Sequence, residues 1–136
     1  MYPVNIVYSV DGYSDEKIEV GSFIDLKSQL LKIKEDTAEM FSAPFSVDVQ
    51  VEAIGFMSIG LADDTILCYK SWDLENQLTS VRDLSANGNI SFYFGDYTLM
   101  SKKYLISYDL ALDVLNDWIL TGELNDKVLW TAQLFN

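Results

Sequence analysis

From Phe45 to Ala53 the chain alternates without a break. Phe45, Val47, Val49, Val51 and Ala53 are apolar, and Ser46, Asp48, Gln50 and Glu52 between them are polar. Successive side chains of an extended chain point to opposite faces, so this segment is a strand with one face on a core and the other toward water. A helix would scatter the same residues around its circumference. The chain must therefore build a sheet whose apolar side is covered by something else.

Two segments of helical period are available for that. Ser22 is an N-cap with Asp25 three residues on, a capping-box pattern. Phe23, Leu26, Leu30 and Ile33 follow at helical spacing, so a helix is expected from about Phe23 to Met40, with Pro44 ending any continuation. The second runs from about Tyr108 to Thr121, with Gly122 as the residue that stops it. On a helical projection Leu110, Ala111, Leu112, Val114, Leu115, Trp118 and Ile119 form one apolar arc, which assigns Trp118 to the core. Asp109, Asp113, Asn116 and Asp117 fill the other arc, Leu120 being the exception.

The remaining apolar runs have the length and composition of strands. Val4–Val10 ends at the turn dipeptide Asp11-Gly12, and Lys17–Val20 returns before Gly21. Phe56–Leu61 and Thr65–Tyr69 are separated by Ala62-Asp63-Asp64. Asn87-Gly88, a strong hairpin signal, stands before Ile90–Phe94 as the second arm of a hairpin. Lys127–Thr131, carrying Trp130, is a final strand. Without a repeat or a linker, residues 1–136 make a single domain. The element order gives an α+β fold, a mainly antiparallel β-sheet with two amphipathic helices packed on it.

Composition removes whole classes of chemistry. With no histidine there is no imidazole relay, no Ser-His or Cys-His nucleophile and no histidine metal site. One cysteine, Cys68 in an apolar run, is expected to be a buried structural thiol. Gly55-Phe56-Met57-Ser58-Ile59-Gly60 has the glycine spacing of a phosphate-binding loop, but Leu61-Ala62 stand where Lys and Ser or Thr are needed, so it is a glycine-edged strand. No EF-hand or dinucleotide pattern occurs, and neither cofactor nor metal is expected. The net charge is −12, from 9 Lys plus Arg against 21 Asp plus Glu, which repels a phosphate backbone and disfavours direct nucleic-acid binding. No basic leader or membrane-length apolar run is evident, so a cytoplasmic protein without membrane contact is expected.

The charge is unevenly placed. Between Lys34 and Lys70 there are seven acids and no base; between Lys103 and Lys127 there are five acids and no base. Asp109, Asp113 and Asp117 recur at i, i+4 on the outer face of the second helix. Such density suits a basic partner, by speeding encounter and rejecting wrong partners. Candidate partner-binding residues are therefore Asp63, Asp64, Asp73, Glu75, Asp96, Tyr97, Asp109, Asp113 and Asp117. Asp63-Asp64 and Asp73/Glu75 could alternatively serve a carboxylate-dependent hydrolase. A third possibility is a small-ligand or regulatory binding domain that uses the sheet face.

Between Ser91 and Thr131 the chain has Tyr93-Phe94-Gly95-Asp96, Leu105-Ile106-Ser107, Ala111-Leu112, Leu115, Trp118-Ile119-Leu120-Thr121-Gly122-Glu123 and Val128-Leu129-Trp130. This series resembles the first immunity-protein family of bacterial polymorphic toxin systems. It departs at Leu124 and at Met100-Ser101, where that family often has proline. The resemblance implies a non-enzymatic cytoplasmic antidote that binds the C-terminal toxic domain of a cognate toxin, prominently a nucleic-acid deaminase or nuclease. It supplies no motif for toxin contact, so the contact residues above rest on charge and position.

Overall fold

A computed structural model describes residues 1–132. The strands are β1 (Val4–Tyr8), β2 (Glu16–Val20), β3 (Ser46–Val51), β4 (Gly55–Gly60), β5 (Asp64–Thr65), β6 (Leu67–Ser71), β7 (Gln77–Val81), β8 (Asn89–Tyr93), β9 (Tyr97–Ser101), β10 (Ile106–Ser107) and β11 (Leu129–Thr131). The helices are α1 (Phe23–Thr37) and α2 (Tyr108–Thr121), and a 3-10 turn spans Lys102–Tyr104. Seven strands form one antiparallel sheet in the order β11-β7-β6-β4-β3-β1-β2. Two short ladders, β5 with β10 and β8 with β9, stand apart from it. The fold is α+β, as the periodicities imply.

Both helices begin on a serine. Ser22 Oγ accepts from Asp25 N at 3.1 Å, and Asp25 returns a carboxylate oxygen to Gly21 N at 3.3 Å. Ser107 Oγ accepts from Leu110 N at 3.2 Å. At the other end of α2, Gly122 is left-handed, with φ +76°, and donates its N–H to Trp118 O. Ser107→Ala removes an N-cap acceptor and should cost about 1 kcal/mol, measured by urea unfolding. An unchanged unfolding midpoint would show that the cap adds nothing to α2.

α1 and α2 share one face of the sheet. Leu26, Leu30 and Ile33 from α1 and Ala111, Leu115, Trp118 and Ile119 from α2 pack onto Ile6, Val47, Val49, Met57, Ile59 and Leu67. Trp118 meets the edge of Tyr69 at 5.8 Å between ring centroids. A second, smaller core lies on the opposite face, where Phe92, Met100 and Tyr104 join Ile66 and Val81. The helix-free face is thus partly roofed by β8, β9 and the 3-10 turn.

Two expectations change. Asn87-Gly88 does not close a hairpin. β7 is already bonded on both edges by β6 and β11, so it has no edge left for β8. β8 instead pairs with β9 through a turn at Phe94-Gly95-Asp96, Tyr93 standing opposite Tyr97. Gly88 is used differently, its carbonyl accepting from Lys102 N at 3.0 Å. The run Thr65–Tyr69 also breaks at Ile66, because Thr65 pairs with Ile106 whereas Leu67 pairs with Ile59.

Candidate functional site

The acidic residues separate into groups. Asp64 pairs with Ser107 in the β5–β10 ladder, and Asp63 O accepts from Tyr108 N at 2.8 Å. The Asp63-Asp64 turn is thereby fastened beside the start of α2, next to Asp109. Lys34 reaches Asp63 at 3.5 Å, but the Asp63 carboxylate is fully exposed, so water screens this pair. Asp64, Asp109 and Asp113 are exposed and form no ion pair among the described residues. Asp96 lies in the β8–β9 turn and Tyr97 opens β9. The Tyr97 hydroxyl accepts from Ser42 N at 3.2 Å, and Ser42 and Asp63 border the same shallow depression.

Asp117 behaves differently from its two companions on α2. Its carboxylate accepts from Lys127 Nζ at 2.9 Å and from Asn125 Nδ2 at 2.7 Å. Hydrogen bonding to Asp117, and its charge, raise the Lys127 ammonium above its ordinary range. Asp109 and Asp113 form no ion pair among the described residues, although the Asp113 charge also acts on the Lys127 ammonium.

Asp73 and Glu75 sit apart, in the turn that follows the far end of β6. Asp73 accepts from Ser71 Oγ at 2.6 Å and from Glu75 N at 3.0 Å, closing a local turn. These bonds hold its carboxyl below the usual range, the reverse of what a general acid needs at neutral pH. Among the described residues no group of three or more Cys, Asp or Glu could hold a metal ion.

The polar half of the β3 alternation is not simply washed by water. Asp48, Ser58, Cys68 and Thr79 stand in one row across β3, β4, β6 and β7; Gln50, Phe56, Lys70 and Gln77 stand in the next. Above them the β8–β9 hairpin overhangs with Phe94, Gly95, Thr98 and Met100, leaving a cleft of about 490 Å³. Ser58 Oγ donates to Asp48 Oδ1 at 2.5 Å. Burial pushes the Asp48 carboxyl above its ordinary range, against the lowering effects of that bond and of Lys70. Ser46 Oγ, on the same lining, is buried without a hydrogen-bond partner among the described residues.

Cys68, expected to be a buried structural thiol, is half-buried on this lining, because its row faces the cleft and not the helices. Desolvation still pushes its thiol up to about 11, and Thr79 Oγ1 approaches the sulfur at 3.9 Å. The thiol is therefore protonated at neutral pH and a poor nucleophile.

Reading Ser46, Asp48 and Gln50 as a solvated face missed this cleft. Two signals pointed to it. Phe56, Ser58 and Gly60 form a second mixed stripe opposite the first, and Ile90, Phe92 and Phe94 are too apolar for a strand without a surface to cover. No helix of the described chain is long and apolar enough to cross a membrane. Compared with known proteins, the chain matches no family model and no curated protein sequence.

Proposed function

We propose that this chain is an immunity protein that neutralises a toxin domain by laying an acidic surface over that domain's basic active-site or substrate groove. The observation that carries this reading is the exposed group Asp64, Asp109 and Asp113, placed along the first turns of α2 and the β5–β10 ladder beside it, with no ion pair among the described residues. The order of residues from Tyr93 to Trp130 supports it independently through the family it resembles. A toxin that acts on nucleic acid presents positive charge to phosphates, and carboxylates in this arrangement compete for the same surface.

The partner is sought in the reading frame directly upstream, whose C-terminal domain is purified and titrated with this protein. A stoichiometric complex that abolishes the toxin's activity is expected. The triple variant Asp64→Asn, Asp109→Asn, Asp113→Asn should slow association about tenfold at low salt and lose most of the salt dependence. Asp73→Asn with Glu75→Gln, at the other end of β6, should leave the rate unchanged. A triple variant that associates like the parent at every salt concentration would remove the acidic group from the interface.

A further inference from the structure

The cleft on the helix-free face carries two opposite charges that do not meet. Asp48 on β3 and Lys70 on β6 both line it, with β4 between them and one row of residues separating their positions. Strand spacing and rise put their Cα atoms about 12 Å apart. Lys70 leans over the Phe56 ring, its Nζ 5.9 Å from the centroid. Neither residue forms an ion pair among the described residues.

Half-buried charges without an ion-pair partner are costly, and a carboxylate facing the same space as an ammonium is satisfied together with it by one molecule bearing both signs. Asp15, also on the lining, adds negative charge near Asp48, and Gln77 stands beside Lys70 in its row. Tyr8, Phe45, Phe56 and Phe94 make the walls apolar. Ser46 Oγ, buried on the lining with no hydrogen-bond partner among the described residues, leaves a hydrogen bond open. The volume falls in the range of small-ligand sites, and such sites combine apolar walls with a few polar groups in this way.

We infer that the cleft binds a small zwitterion of the amino-acid class, its ammonium on Asp48, its carboxylate on Lys70 and its apolar side chain against the aromatic walls. This site is separate from the acidic group and does not depend on the identity of any protein partner.

Amide NMR titration of the full chain tests it with four matched probes. These are phenylalanine and glycyl-phenylalanine as zwitterions, phenethylamine without the carboxylate, and 3-phenylpropanoate without the amine. At least one zwitterion should move the amide resonances of Ser46, Ser58 and Cys68 and bind about tenfold more tightly than either single-charge probe. Asp48→Asn should weaken the zwitterion about tenfold and bind 3-phenylpropanoate at least as tightly as the parent. Lys70→Met, whose fold is checked from the rest of the spectrum, should weaken the zwitterion and bind phenethylamine at least as tightly as the parent. Phenethylamine binding as tightly as phenylalanine would overturn the inference in favour of a simple cation site. Silence of the cleft resonances with both zwitterions at millimolar concentration would overturn it outright.

Discussion

Trp118→Ala should lower the unfolding free energy by about 3–5 kcal/mol, a large part of the roughly 5–15 kcal/mol available to a domain of this kind. The ring is 1% exposed and is held between α2 and the sheet, with the edge of Tyr69 against it. Removing it leaves a cavity that strands paired on both sides are poorly placed to fill. Trp118→Phe separates packing from polarity. The indole N–H is buried without a hydrogen-bond partner among the described residues, so the wild type already bears a desolvation cost that phenylalanine does not. The Phe variant should therefore lose no more than about 1.5 kcal/mol. Urea unfolding followed by circular dichroism measures both. Equal losses for Ala and Phe would mean that filling this space with a ring is not what Trp118 contributes.

The two glycines that edge β4 should be nearly as sensitive, for a reason unrelated to phosphate binding. A Cβ on Gly60 would lie 2.5 Å from Phe92 Cε1 and 2.9 Å from Thr65 Oγ1. Neither neighbour can retreat easily. Phe92 is fully buried in the second core, and Thr65 Oγ1 donates to Gly60 O at 2.6 Å. Gly60→Ala should cost about 1–3 kcal/mol through overpacking. A Cβ on Gly55 would lie 2.3 Å from the Lys70 carbonyl oxygen, on a backbone at φ +153°. Gly55→Ala must part the β4–β6 ladder and should cost at least as much. Gly21→Ala, with open space around it, is the control and should stay within about 0.5 kcal/mol of wild type. Combining Gly60→Ala with Phe92→Leu should recover part of the loss. A Gly60→Ala protein as stable as the Gly21→Ala control would show that the hairpin does not press on β4.

Much of the fold was legible because its signals are local. The two caps, the arc of α2 and its stop at Gly122 each depend on residues within a few positions of one another. The β3 alternation likewise named Val47, Val49 and Val51 as core. The candidate site was legible only in part. Asp63, Asp64 and Asp109 stood out as acidic, but their neighbourhood comes from the pairing of β5 with β10, two-residue ladders too short to leave a pattern in sequence. Asp117 carried the same spacing signal as Asp109 and Asp113. Its neutralisation depends on Lys127, which the turn after α2 brings back beside it.

The sequence by itself determined the periods: where the chain is helical, where it is extended, and which side of each element is apolar. It also determined the excess negative charge and the absence of imidazole chemistry. Tertiary structure alone decided which strands pair, and so moved the hairpin from Asn87-Gly88 to Gly95. It decided too that Asp48, Ser58 and Lys70 face a roofed cleft and not open water. The physical reason is the same in both cases. Strand partners depend on which edges and faces remain unoccupied once the whole sheet has formed, whereas helical and extended periods are written in neighbouring residues.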